Sequence, residues 1–173
     1  WTGKIGHIDL SQGTVTTLST HDYAATFIGG RGIAAKLYWD MVGPNPDAFA
    51  PDNPLIIMTG PLAGTSAPTG SRIGAYTKSP MTNGFFHSSA GGSFAAELKF
   101  AGFDGVVIEG RSEKPVYLFI TNGLVELRDA AHLWGERTYR AHELLKNDIG
   151  DEAAQIAVIG PAGERLVRFA SVI

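Results

Sequence analysis

The sequence predicts an α+β fold, in which strand-rich mixed sheets are packed by a few helices. Strand-like runs, hairpin turns and helical periods follow one another along the 173 residues without the regular strand–helix alternation of a parallel α/β sheet. The 22 glycines and 9 prolines separate these runs and mark frequent turns. A chain of this length is expected to form one domain with a substantial core.

Strands are predicted where short apolar runs, many of them rich in β-branched and aromatic residues, lie between turn residues. The predicted strands are residues 3–9, 13–18, 55–58, 72–78, 106–109, 116–121, 125–127, 156–159 and 166–173. Ser11-Gln12-Gly13 is expected to join the first two as a hairpin, and Asn122-Gly123 indicates a type I′ turn between two later strands.

Helices are predicted where apolar residues recur at intervals of three and four. The predicted helices are residues 21–28, 32–41, 91–101 and 136–149. Gly29-Gly30 interrupts the first two, while Gly102 and Gly150 follow the last two as C-terminal stops. Four prolines between residues 44 and 54 indicate a loop.

One segment of the sequence is echoed about a hundred residues later. Residues 55–64 and 156–163 each combine a buried strand with a Gly-Pro turn and an Ala-Gly pair, and an arginine (Arg72 in the first copy) follows each. We interpret the echo as an internal duplication with pseudo-twofold symmetry, although a Gly-Pro turn after a strand is also common by itself. A duplication predicts that the domain continues beyond Ile173, so we expect residues 1–173 to be a fragment cut short at its C-terminal end.

Composition excludes several classes of function. Without cysteine, the chain has no disulfide, no thiolate metal site and no ligand for an iron–sulfur cluster. The formal net charge of −3 argues against a nucleic-acid surface, which needs clustered lysine and arginine. No apolar run approaches the ~20 residues that span a bilayer, and no secretory signal is visible. We therefore expect a cytoplasmic protein without nucleic-acid or membrane partners.

A candidate binding site lies in the glycine-rich middle of the chain. Between Asn53 and Ala96 the only formally charged residues are Arg72 and Lys78. The run Ser88, Ser89, Ala90, Gly91 and Gly92 directly precedes a predicted helix, whose first backbone N–H groups are unpaired and favour anions. Together with the planar guanidinium of Arg72, these features describe a cradle for an anionic ligand. A core with glycine turns and ordinary surface cations explains the same residues equally well.

Other motifs give little support for a specific chemistry. Residues 30–35 match the G-x-G-x-x-A pattern of dinucleotide-binding proteins, but that pattern requires a preceding strand and a helix is predicted there. The five histidines show no metal-ligand spacing, and His87 is noted only because it lies in the glycine-rich region. We find no candidate nucleophile and no paired carboxylates, so we assign no catalytic residue.

Several longer stretches carry a resemblance to a known family. They are Gly29-Gly30-Arg31-Gly32, residues 60–65, residues 70–72 leading into 77–80, residues 91–105, residues 113–117 and residues 159–164. Over essentially its whole length, the chain resembles the N-terminal domain of the aldehyde ferredoxin oxidoreductase family. The members of this family are tungsten (sometimes molybdenum) bis-pterin enzymes. The run Glu-Leu-Lys-Phe-Ala-Gly-Phe-Asp at residues 97–104 is the most specific part of the match.

The resemblance implies particular cofactor contacts. In this family the metal is held by two pterin dithiolenes, and Mg²⁺ bridges the pterin phosphates. Arg72 falls on the family's pterin-contacting arginine, Gly91 on a binding glycine, and Gly92 beside it. Ser89 replaces an asparagine, so it is expected to contact Mg²⁺ only through its backbone carbonyl. The cofactor-binding residues are thus expected to be Arg72, Ser88, Ser89, Ala90, Gly91 and Gly92.

The resemblance also implies an activity and its partners. The expected reaction oxidises an aldehyde to its carboxylic acid and passes electrons through a 4Fe-4S cluster to ferredoxin, and we expect the full-length protein to form a homodimer. The cluster, a second phosphate loop and the catalytic groups would lie outside this chain, which should be inactive alone. A paralogous enzyme with another substrate, such as an aryl-CoA thioester, and a non-catalytic pterin-binding module are the alternatives.

Overall fold

The computed structural model describes all residues from Trp1 to Ile173 and confirms the α+β class. The strands are β1 (Lys4–Asp9), β2 (Thr14–Ser19), β3 (Leu55–Thr59), β4 (Ile73–Lys78), β5 (Phe85–Ala90), β6 (Gly105–Glu109), β7 (Val116–Thr121) and β8 (Leu124–Asp129). The helices are α1 (His21–Phe27), α2 (Gly30–Met41), α3 (Phe94–Phe100), α4 (Thr138–Ile149) and α5 (Pro161–Glu164), and a 3-10 turn covers Ala131–Leu133. None of these helices is long and apolar enough to cross a bilayer.

Six strands form one mixed sheet in the order β2-β1-β6-β3-β4-β5. Only β1 and β6 run parallel; the other neighbours in this sheet are antiparallel. Strands β7 and β8 form a separate hairpin, which turns at Asn122-Gly123 with both residues at positive φ, as a type I′ turn requires. Strand β5 is at the sheet edge and is exposed along its whole length.

The main core lies between this sheet and helix α2. Ile33, Ala34 and Leu37 project from α2 against residues of β1, β3, β4 and β6, among them Ile56 and Met58. Burying each large aliphatic side chain contributes about 1.5–3 kcal/mol. A Cβ on Gly32 would lie 2.2 Å from the carbonyl oxygen of Phe27, so a glycine is needed where α2 passes the end of α1.

The opposite face of the sheet is covered by α3, the β7–β8 hairpin and α4. A largely apolar cavity of about 710 Å³ separates these elements from sheet residues that include Leu55, Ile57 and Val106. Helix α4 packs through Ala141 and Leu145 in a smaller cluster with Val158. The face that carries α2 is therefore the more tightly packed of the two.

A buried ion pair fixes the start of the chain to helix α3. The Asp104 carboxylate is paired with the Lys99 ammonium and accepts hydrogen bonds from Thr20 Oγ1 at 2.7 Å, from the Thr2 N–H at 3.0 Å and from the Gly3 N–H at 3.0 Å. Burial alone would raise the pKa of Asp104, but hydrogen bonds from Lys99, Thr20 and Thr2 outweigh it and lower the pKa to about 2. Two members of the network, Lys99 and Asp104, belong to the sequence run 97–104.

Two predicted strands near the C-terminus are wrong. Residues 156–159 and 166–173 are not strands, and residues 161–164 form the short helix α5 instead. Val158 and Ile173 exchange two backbone hydrogen bonds, of 2.8 and 2.9 Å, but no further residue extends this ladder. The apolar runs suggested strands, yet most of 166–173 is exposed, and no neighbouring strand pairs with either run.

The structure does not confirm the predicted internal duplication. The order of a hairpin, helical segments and a Gly-Pro turn recurs in the two halves, but β3 and β4 have no strand counterparts in the second half.

Two smaller differences from the predicted elements concern the glycine-rich region. Strand β5 was not predicted, and helix α3 begins at Phe94 rather than at Gly91.

Candidate functional site

A polar cavity of about 320 Å³ opens where the start of α2 meets the ends of β3, β4 and β5. Its lining contains two arginines, a histidine and a tyrosine, but neither aspartate nor glutamate. The lining residues are Gly29, Gly30, Arg31, Met58, Gly60, Pro61, Arg72, Ile73, Gly74, Tyr76, His87 and Ser89. Because only cations are formally charged here, the cavity favours an anionic ligand.

Two residues of the predicted site, Arg72 and Ser89, line this cavity. Arg72 immediately precedes β4, and its exposed guanidinium makes no salt bridge. Ser89 on β5 is directly opposite Gly74 on β4 in the antiparallel register. The antiparallel pairing of β4 and β5 thus brings together Arg72 and Ser89, which are 17 positions apart in the sequence.

The other four predicted residues do not line the cavity. Ser88 and Ala90 alternate with Ser89 along β5, so their side chains point to the opposite face of the strand. Gly91 and Gly92 are exposed in the link between β5 and α3. A Cβ at either glycine would meet no atom within 4 Å, which leaves the backbone there open to approach.

Antiparallel geometry directs the Ser89 backbone away from the sheet. The Ser79 N–H donates to the Gly84 carbonyl at 2.9 Å, so this pair is hydrogen-bonded across the hairpin. Hydrogen-bonded and non-hydrogen-bonded residue pairs alternate along an antiparallel ladder. The pair of Gly74 and Ser89 lies five positions further along and is therefore not hydrogen-bonded, which means that the backbone N–H and C=O of Ser89 point away from β4. The Ser89 carbonyl therefore points to the free edge of β5.

The second cationic group of the cavity is Arg31, in the first turn of α2. Its guanidinium hydrogen-bonds to Nε2 of His87 on β5. The His87 ring is stacked with the Tyr76 ring, with centroids 6.2 Å apart and an interplanar angle of 20°. Burial raises the pKa of the Tyr76 phenol, and the nearby positive charge of Arg31 partly opposes that rise.

Glycines shape the walls of the cavity. A Cβ on Gly74 would lie 2.3 Å from the Tyr76 hydroxyl oxygen, so the tyrosine ring occupies space that a side chain there would take. Gly30 has a φ of 46°, in the region that favours glycine, and allows α2 to begin beside the end of β3. Ile28, two residues earlier, has a φ of 65°, which is strained for a β-branched residue.

The arrangement is suited to binding an anion. No group of three or more His, Cys, Asp or Glu side chains could hold a metal ion. No hydroxyl or carboxylate of the cavity is paired with a base in the manner of an activated nucleophile. Guanidinium groups with accessible backbone instead match the oxygens of a phosphate.

Sequence reasoning missed part of this site. It expected the anion to face the start of α3, whereas the start of α2 and Arg31 line the cavity. It treated Gly29-Gly30 as a bend between two helices, which is confirmed, but assigned no role to the arginine next to them. The available signal was Gly-Arg-Gly at the beginning of a helix. Tyr76 had no sequence signal beyond its place in a strand.

The fold is an α+β domain with a cavity whose only formally charged residues are cations, and comparisons with known proteins identify its family. A family model described as "Aldehyde ferredoxin oxidoreductase, N-terminal domain" matches residues 5–173. The chain therefore belongs to the aldehyde ferredoxin oxidoreductase family, as the sequence resemblance predicted.

Individual relatives agree with this assignment. The chain is 43% identical over 172 residues to the tungsten-containing aldehyde ferredoxin oxidoreductase of Pyrococcus furiosus and 46% identical to that of Thermococcus kodakarensis. Each match covers 99% of this chain but only 28% of the relative. Among solved structures, the active-site complex BamBC of benzoyl coenzyme A reductase, in complex with 1,5-dienoyl-CoA, is 39% identical with a TM-score of 0.96 and covers 99% of this chain and 26% of that one.

Proposed function

We propose that this chain is the cofactor-binding N-terminal domain of a tungsten-pterin oxidoreductase that oxidises aldehydes to carboxylic acids and passes the electrons to ferredoxin. The observation that carries the proposal is the carboxylate-free cavity with an unpaired Arg72, in a chain 43–46% identical to tungsten-containing aldehyde ferredoxin oxidoreductases. Because the chain spans 28% of those relatives, the activity belongs to the larger protein.

The residues of the cavity fit the anionic part of a pterin cofactor. A pterin phosphate needs cationic donors, open backbone and no nearby carboxylate, and the cavity provides all three. Gly60 adds to the open wall, because a Cβ there would meet no atom within 4 Å. The volume of about 320 Å³ lies at the low end of the ~300–1,000 Å³ typical of small-molecule sites, so it suits one end of a bis-pterin.

Within this site the residues have distinct proposed roles. Arg72 would bind phosphate oxygens, and the Ser89 carbonyl, which points to the free edge of β5, would coordinate Mg²⁺. Gly91 and Gly92 would let the cofactor approach the backbone, with Ser88 and Ala90 in the same segment. The bound tungsten-pterin would supply the two-electron chemistry, and this domain would position it and balance its negative charge.

The remaining groups of the proposed enzyme must lie outside this chain. A 4Fe-4S cluster requires cysteine ligands, and this chain contains none. We propose that residues 1–173 are followed by the second phosphate loop and by domains that hold the cluster and the substrate. Ferredoxin as electron acceptor, a small aldehyde as substrate, assembly as a homodimer and a cytoplasmic location complete the proposal.

A second candidate function is a paralogous tungsten or molybdenum enzyme with another substrate. The structural match to a benzoyl coenzyme A reductase complex, with a TM-score of 0.96, specifically favours this alternative. Because the cavity faces the proposed cofactor, it is common to both candidates.

The two candidates are distinguished by a direct assay of the full-length protein. Protein purified without oxygen would be given a series of aldehydes with a low-potential dye as electron acceptor, and separately aryl-CoA thioesters with reduced dye. Reduction of the dye by aldehydes supports the leading proposal, and oxidation of the dye by the thioester supports the paralogue. Metal-loaded protein inactive in both assays would refute both substrates.

A further inference from the structure

Arg31 is a second guanidinium on the polar cavity, and the family resemblance assigned it no role. We propose that Arg31 and Arg72 form a two-arginine clamp for one phosphate-bearing ligand, and that His87 is the positioning residue that aims Arg31. The identity of the ligand as a pterin phosphate rests on the proposed function, whereas the clamp itself requires only a phosphate-type anion.

The first argument is convergence. Arg31 belongs to α2, Arg72 to the start of β4 and His87 to β5, yet all three line one cavity of about 320 Å³. None of the lining residues is acidic, so the two positive charges are not neutralised inside the cavity. Two planar guanidinium groups on one site match the oxygen pattern of a phosphate better than an isolated cation does.

The second argument concerns how Arg31 is held. Five other lysines and arginines are paired with carboxylates, namely Lys36, Lys99, Arg128, Arg140 and Lys146. The hydrogen-bond partner of Arg31 is instead the imidazole nitrogen Nε2 of His87. A neutral imidazole accepts the hydrogen bond without cancelling the charge. Arg31 is therefore oriented while its full positive charge stays available to a ligand.

The third argument is that His87 is itself supported. Its ring is stacked with Tyr76, whose side chain is fixed by the main core and covers Gly74. Accepting from Arg31 at Nε2 places the ring proton of neutral His87 on Nδ1. The His87 imidazole on the exposed strand β5 is thus held in place by its contact with the interior strand β4.

The test compares matched variants of the full-length protein. Arg31→Met removes the charge, Arg31→Lys keeps the charge without the planar fork, and Arg111→Met is the control, because Arg111 is exposed, makes no salt bridge and does not line the cavity. Each variant is produced with tungstate, and tungsten, phosphorus and oxidised pterin fluorescence are measured per chain. Each is also produced without tungstate and titrated with pyrophosphate as the probe.

Loss of Arg31 should weaken pyrophosphate binding by about 10- to 100-fold, the usual effect of losing a hydrogen bond to a charged group. Arg31→Lys should lie between Arg31→Met and the original protein, and Arg111→Met should change neither readout. His87→Phe keeps a ring beside Tyr76 but loses the acceptor, and should weaken binding by about 2- to 10-fold. His87→Gln restores an acceptor and should recover most of that loss.

The outcomes separate this inference from the proposed function. If the original protein never contains tungsten or pterin but Arg31→Met still weakens pyrophosphate binding, the proposed function fails and the clamp stands. Unchanged pyrophosphate affinity in Arg31→Met overturns the clamp, even if tungsten content falls. Absence of pyrophosphate binding by the original protein also overturns it.

Discussion

Replacing Asp104 by asparagine should destabilise the domain strongly while leaving the polar cavity untouched. The carboxylate is 2% exposed and neutralises the positive charge of Lys99, whose side chain is 7% exposed. Asparagine keeps one acceptor oxygen but removes the charge, so the Lys99 ammonium stays buried without a counter-ion. Breaking a buried pair in this way costs about 3–5 kcal/mol, which corresponds to a fall in Tm of roughly 6–20 °C.

The same carboxylate predicts how stability depends on pH. Its pKa of about 2 lies below the unfolded value of 3.8, which corresponds to about 2 kcal/mol of stabilisation. A lowered pKa stabilises the folded state fully above the unfolded pKa, and this contribution is lost as the pH falls from about 5 through 2. The Asp104→Asn variant should lack this part of the acid dependence.

Thermal and denaturant unfolding would measure both effects. Glu97→Gln is the matched control, because Glu97 lies on the exposed side of the same helix and makes no salt bridge; it should stay within about 0.5 kcal/mol. A double-mutant cycle with Lys99→Met would isolate the coupling between the two side chains. If Asp104→Asn unfolds within about 1 kcal/mol of the original protein at neutral pH, the proposed role of the buried pair is refuted.

Three further changes test the packing and the site. Leu37→Ala should cost about 2–5 kcal/mol in denaturant unfolding, because Leu37 is 2% exposed, while Trp39→Ala on the same helix should cost little because Trp39 is 82% exposed. Gly32→Ala should lower the Tm by several degrees, since its Cβ would lie 2.2 Å from the Phe27 oxygen; an unchanged Tm would contradict this. Arg72→Met in the full-length protein should lower retained tungsten and phosphorus without lowering the Tm of the cofactor-free protein, and unchanged metal content would show that Arg72 does not hold the cofactor.

Local signals predicted much of the fold. The Asn122-Gly123 turn carries its own backbone requirement, and both residues have positive φ, so the β7–β8 hairpin follows from two residues. Strand β5 was missed because its residues, Phe85–Ala90, are all exposed and show no alternation of buried and exposed positions. Its strand form depends on pairing with β4. The apolar run 166–173 shows the reverse case, since it has strand-like residues and no neighbour to pair with.

The site was only partly predictable for a related reason. Composition identified Arg72 as one of two charged residues in a long segment, and glycine and serine content identified the region of Ser89. Which helix begins beside them depends on the strand order, which places α2 over β3 and β4. The contact of Arg31 with His87 joins residues 56 positions apart, and no local pattern indicates it.

Elemental analysis of the full-length protein, expressed with tungstate and molybdate and purified without oxygen, tests the proposed function most directly. Tungsten or molybdenum together with iron and pterin phosphorus is the predicted result. Phosphorus without tungsten, molybdenum or iron would indicate a pterin-binding module without redox chemistry. The absence of all four elements from correctly folded protein would contradict the proposal that this domain holds a metal-pterin cofactor.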